Sequence, residues 1–170
     1  MKLLGALLLI TGAGGLGYLA EYGLKRRITF LLKLKELLLL LESEITYKNA
    51  TLGEAFWELS ERKQGMEGSF LKDVFEGMEV QGRNFEDVWC EYLKKWGNDN
   101  GLTEEDLRGA FSFSDAVGIY DISLQERMIR YATEQLEERI RLLKKEHEKK
   151  GKAYFYLGIA GGAMGVIIFL

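Results

Sequence analysis

The sequence predicts an all-α protein, an antiparallel helical bundle flanked by one N-terminal and one C-terminal transmembrane helix. Three observations carry that expectation. The 170 residues contain no Pro, so no helix is interrupted by a ring that clashes with the preceding turn and removes an N–H donor. From Leu24 onward the apolar residues recur at steps of three and four, the period of one helix face. Charge is also partitioned sharply. Lys2 and Glu21 are the charged side chains before residue 24, none follows Lys152, and the other 47 lie in 24–152. The boundaries expected are therefore 1–23 for the first span, 24–152 for a cytoplasmic bundle and 153–170 for the second span.

Residues 3–20, LLGALLLITGAGGLGYLA, form a run without a charge. As a helix rising about 1.5 Å per residue it reaches about 27 Å, close to the thickness of a bilayer core. Ala13 and Gly17 stand four apart, a spacing that lets helix backbones approach closely in lipid. A signal peptide is a poor fit, because only Lys2 is basic and Tyr18-Leu19-Ala20 is a weak cleavage site. Gly12-x-Gly14-x-x-Gly17 has the spacing of a dinucleotide loop. The preceding residues, however, are Leu rather than Val or Ile, and no further βαβ unit follows.

The bundle begins with a stripe at Leu24, Ile28, Leu31, Leu34, Leu38, Leu41 and Ile45, continuous with the first run. Asn49-Ala50 reads as a corner, and Thr51-x-x-Glu54 as a capping box opening a helix with Leu52, Ala55, Phe56 and Leu59 inward. Gly65–Gly68 is expected to end it. Ser69 then opens a helix presenting Phe70, Val74 and Met78, closed at Gly82. Asn84, with Asp87 three residues on, opens another with Phe85, Val88, Trp89, Tyr92 and Trp96, and Thr103-x-x-Asp106 a third that ends near Gly118. Asp121 is expected to cap a long helix whose stripe is Ile129, Ala132, Leu136, Ile140, Leu143 and His147. Its recurrence at eleven residues implies a nearly straight pair. The short helices are too short to be stable alone and must bury against the two long ones. Trp57, Trp89 and Trp96, at helical spacing, are read as core or interface anchors.

Residues 153–170, AYFYLGIAGGAMGVIIFL, are the second uncharged run. Tyr154, Phe155 and Tyr156 stand where an interfacial aromatic belt would sit. Gly158/Gly162 and Gly161/Gly165 supply packing pairs like that of the first run. Lys25, Arg26, Arg27, Lys33 and Lys35 follow the first run, and Lys144, Lys145, Lys149, Lys150 and Lys152 precede the second. Basic flanks stay in the cytoplasm, so the bundle is expected inside and both termini outside.

Chemical equipment is sparse. A net charge of −3 argues against nucleic acid as a partner, and one Cys (Cys90) with one His (His147) leaves no disulfide framework or multi-ligand zinc site. The acids Glu104, Glu105 and Asp106 suit a helix first turn without any further role. No P-loop is present. The expectation is thus a protein with no catalytic, cofactor-binding or metal-binding residues and no small-molecule substrate. Its partner contacts are placed at Glu42, Glu44 and Tyr47, read as exposed near the first corner, and on the face carrying Arg139, Arg141 and Lys145.

The chain resembles the stage III sporulation protein AB family of endospore-forming bacteria. The resemblance rests on the N-terminal KLLGALLLI run, on LESEITYKNATLGEAFWELSER at 41–62, on FSFSDAVGIYDISLQ at 111–125 and on KAYFYLGIAGGAMGVIIFL at 152–170. Glu44, Ile45, Tyr47, Leu52, Glu54 and Ala55 fit its first block, with Ala50-Thr51 in place of Thr-Pro. Gly118, Asp121 and Gln125 fit its later block, from which Val117 and Tyr120 depart. The resemblance implies a bundle similar to the F-type platform domain of type II secretion and a place in the mother-cell membrane around the forespore. It also implies a non-enzymatic role, coupling a cytoplasmic secretion-type ATPase of the same operon to the other stage III sporulation channel subunits. The competing expectations are a two-span adaptor unrelated to export and a small nicotinamide-binding enzyme.

Overall fold

The computed structural model describes the backbone of residues 2–114 and 122–169 and the side chains of 22–114 and 123–149. Among the described residues it is helical with no strand. Two long helices, α1 (Lys2–Lys48) and α6 (Ile122–Phe169), are bridged by α2 (Leu52–Arg62), α3 (Gly65–Phe75), α4 (Phe85–Asp99) and α5 (Glu104–Phe111). α1 passes through Gly12, Gly14 and Gly17 as helix with no strand before it, so the dinucleotide reading lacks its β-turn-α frame.

α1 and α6 pack antiparallel in a fixed register. Lys35 Nζ lies 3.0 Å from Glu137 Oε2. Seven residues further along α1 and seven back along α6, Glu42 feels the charges of Arg130 and Glu126. In the other direction, fifteen residues before Lys35 is position 20 and sixteen after Glu137 is position 153. Equal rise per residue therefore starts the two uncharged runs at one end of the pair and at nearly the same height. Among the described residues no helix is long and apolar enough to cross a membrane. The runs 3–20 and 153–170, with Ala13, Gly17, Gly158, Gly161, Gly162 and Gly165, lie outside the residues whose side chains are described.

The sequence stripes of both long helices are the core. Every member named from Leu24 to Ile45, and every member from Ile129 to Leu143, is buried, while His147 is half-buried. Between them sits an aromatic cluster. Trp89 is fully enclosed, its ring 5.2 Å from that of Phe113 and 5.5 Å from that of Phe70, and its indole N–H donates to Ala110 O at 2.8 Å. Trp96 lies between Phe30 and Phe70, at 4.3 and 4.5 Å. Trp57 differs from its two counterparts: it is 43% exposed, with its ring 5.1 Å from that of Phe75.

The corners follow local chemistry. Asn49 takes the left-handed conformation at φ 52°, which Asn tolerates better than most residues. Both capping boxes form: Thr51 N–H donates to Glu54 Oε2 at 2.8 Å and Thr103 N–H to Asp106 Oδ2 at 2.9 Å. Three expectations are corrected. α3 begins at Gly65 rather than Ser69, and Gly68 belongs to it. A Cβ on Gly68 would stand 2.2 Å from Lys63 O, so that glycine allows the tight α2–α3 corner instead of ending a helix. Met78, on the π-helical turn Glu76–Val80, is half-buried and packs against the core as expected. Asn84 caps through Glu86 N–H, not through a box with Asp87. α5 ends at Phe111 with Ser112 as its C-cap, short of the end expected near Gly118; Gly118 and Asp121 themselves lie outside the described residues.

Candidate interaction surface

Asp106 is the best-defined polar centre. Its carboxylate is 1% exposed and stands on the first turn of α5, held there by the capping box. Arg27 of α1 donates through Nε and Nη2 at 2.9 and 2.8 Å. Arg139 of α6 donates through Nε at 2.9 Å and reaches Glu105 through Nη1 at 2.8 Å. Burial alone would raise the Asp106 carboxyl; hydrogen bonds from Arg27, the Thr103 N–H and Arg139 outweigh it and hold the group down at about 2. One carboxylate thus ties three helices together. Gly109 brings α5 close enough, since a Cβ there would stand 2.5 Å from Gln135 Cβ on α6.

Glu44 is a second buried carboxylate, 4% exposed, between Arg62 and Lys48. Burial pushes it up, but the ion pairs prevail and hold it below the usual range. Its expected exposure is therefore corrected: Glu44 closes the α1–α2 corner. Arg139, expected on the partner face, is likewise committed to Asp106 and Glu105.

The other residues assigned to partner contact do reach the surface. Tyr47 is 83% exposed. Glu42 is half-buried, and its carboxyl is raised by burial, with Arg130 opposing and Glu126 adding to the shift. Arg141 is exposed and pairs with Glu138 at 2.7 Å, and Lys145 is exposed. Exposed Trp57, Val80 and Tyr131 add apolar surface. Tyr47 and the exposed α6 residues are not one continuous patch, because Lys145 lies toward the end of α6 from which the uncharged run departs.

Sequence reasoning missed two things. Asp106 as an ionic hub carried no local signal, since its partners lie 79 and 33 residues away. A groove of about 520 Å³ at the start of α3, walled by Lys25, Arg26, Lys33, Met66 and Trp96, likewise joins residues that no motif connects. Among the described residues no three His, Cys, Asp or Glu side chains are grouped to hold a metal ion.

A family model described as stage III sporulation protein AB matches residues 2–170. The chain belongs to the stage III sporulation protein AB family. Membership makes it a stage III sporulation protein. No curated protein and no solved structure matches it. Within the family's first block, Glu44, Leu52 and Ala55 are buried corner residues, Glu54 completes a cap, and Tyr47 points outward.

Proposed function

We propose that this family member is a non-enzymatic subunit of the secretion-like complex joining mother cell and forespore, a two-span platform that couples a cytoplasmic ATPase to membrane ring subunits. The observation that carries the reading is the α1–α6 register. Two uncharged runs that leave an antiparallel pair at one end and at one height suit entry of both into one bilayer from the same side. The opposite end, with Tyr47, lies about 40 Å from position 20 at the rise of an α-helix, so a bundle anchored this way would project its first corner well into the cytoplasm. The basic residues concentrated at the inner flanks support that orientation, and the family resemblance supports a place in the mother-cell membrane. The ionic tie at Asp106 supports transmission of force, because it links both long helices to the short ones without relying on exposed pairs.

The partner surface proposed is Tyr47 with Glu42 at the far corner and Arg141 with Lys145 along α6. Affinity purification of the detergent-solubilised full chain from sporulating cells should recover the ATPase and the ring subunits. Tyr47→Ala combined with Arg141→Glu and Lys145→Glu should lower ATPase recovery about tenfold with unchanged unfolding by tryptophan fluorescence. Recovery of no channel subunit with the unaltered protein would reject the platform reading.

A further inference from the structure

The groove at the start of α3 carries features that partner docking at the far corner leaves unused. Tyr22, Lys25, Arg26 and Lys33 lie on α1 at spacings of three, four and eleven, hence along one face of the helix. Met66 of α3 and Trp96 of α4 form the opposite wall. The lining holds three cations and one carboxylate, Glu67, and that carboxylate is already engaged at 2.7 Å by Lys33. Arg26 is exposed but oriented: Nη2 donates to Asp99 O at 2.6 Å and approaches Asn100 Oδ1 at 3.4 Å. Gln64 and Gly65 at the head of α3 also line the groove, at the positive end of that helix. The apolar share is equally specific. Tyr22 is 62% and Met66 57% exposed, while the Phe30–Trp96 pair forms a rigid floor.

Position decides the occupant. Tyr22 stands two residues beyond the uncharged run, and Lys25 and Arg26 five and six beyond it, on the same unbroken helix. At about 1.5 Å per residue the cations lie within about 10 Å of that run, the depth of a headgroup layer. We infer that this groove binds the headgroup of an acidic glycerophospholipid, its phosphate against Lys25 and Arg26 and its glycerol and first acyl carbons against Tyr22 and Met66. The inference rests on the membrane-anchored reading above and adds a lipid-selective site to it.

The test uses the full chain. Resistance of the expressed protein to carbonate extraction reports anchoring by itself. The protein is then reconstituted with equal phosphatidylglycerol and phosphatidylcholine, extracted gently, and its retained lipids are counted by native mass spectrometry. We expect phosphatidylglycerol to be retained about fivefold over phosphatidylcholine, near the strength of one or two basic side chains at a charged surface. Lys25→Gln with Arg26→Gln should abolish the preference, and Lys25→Arg with Arg26→Lys should keep it. Lys144→Gln with Lys149→Gln, at similar height on α6 but outside the groove, should leave it unchanged. Anchoring without any preference, equal loss in the α6 variant, or displacement of the lipid by millimolar inorganic phosphate would each overturn the site while leaving the platform reading intact. Release of the unaltered protein by carbonate would overturn the platform reading as well.

Discussion

At Asp106 one side chain has two duties that the sequence separates. As the third residue of a capping box it satisfies the Thr103 N–H, and as a buried anion it gathers Arg27 and Arg139. Removing one partner of such a cluster leaves like charges facing each other out of water, which costs about 3–5 kcal/mol. Asp106→Asn should therefore lower the midpoint of guanidinium unfolding at pH 7, read by tryptophan fluorescence of the full chain, by an amount of that order. The pH dependence has a defined sign. The carboxyl is held at about 2 when folded, below its ordinary value near 3.8, so its contribution is complete above pH ~4 and is lost as pH falls toward 2. The difference in stability between the unaltered protein and Asp106→Asn should shrink over that window and nowhere above it. Equal midpoints at pH 7 would show that the arginines find other partners.

Among the elements, α5 shows how a short helix acquires a fixed place. Eight residues cannot hold a helix in isolation, and α5 depends on its capping box, on Leu107 and Ala110 in the core, and on the close approach at Gly109. Gly109→Ala puts a methyl group into Gln135 Cβ, where side-chain rotation brings no relief. Overpacking of this kind costs about 1–3 kcal/mol, and moving α5 outward also draws Asp106 from Arg139. We expect Gly109→Ala and Arg139→Gln to be strongly non-additive in a double-mutant unfolding cycle, since both act on one contact. Strict additivity would place the cost of the glycine change elsewhere. Thr51→Ala, which removes a cap on an exposed box, should cost about 1 kcal/mol, and Thr103→Ala more, because it also loosens the hub.

At the scale of the whole molecule, the parts legible in the sequence were those set by local period and local caps. The stripes of both long helices, the corner at Asn49 and the boxes at Thr51 and Thr103 each depend on residues within one or two turns. The errors arose where a local signal had two physical uses. Gly68 reads equally as a helix stop or as a close backbone approach, and the chain uses the second. Glu44, in the polar stretch Glu42-Ser43-Glu44, reads as exposed until Arg62 and Lys48 arrive to neutralise it. Neither the Asp106 hub nor the groove beside Arg26 was accessible to that reading, since each is assembled from three helices.

The antiparallel register also makes the topology directly measurable. Tyr47 and Lys25 lie on one helix, 22 residues apart, or about 33 Å, so in a bundle anchored by both runs they sit at different depths on the same side of the membrane. With Cys90→Ser as background, single cysteines at positions 47 and 25 are exposed to a membrane-impermeant maleimide. In intact cells both should stay unlabelled. In inverted vesicles position 47, distant from the lipid, should react fully, and position 25, beside the headgroups and facing the groove, several-fold more slowly. Labelling of position 47 in intact cells would invert the orientation read from the basic flanks and remove the cytoplasmic ATPase as a direct partner. Equal rates at both positions in vesicles would mean that the uncharged runs do not hold the basic end of the bundle against lipid.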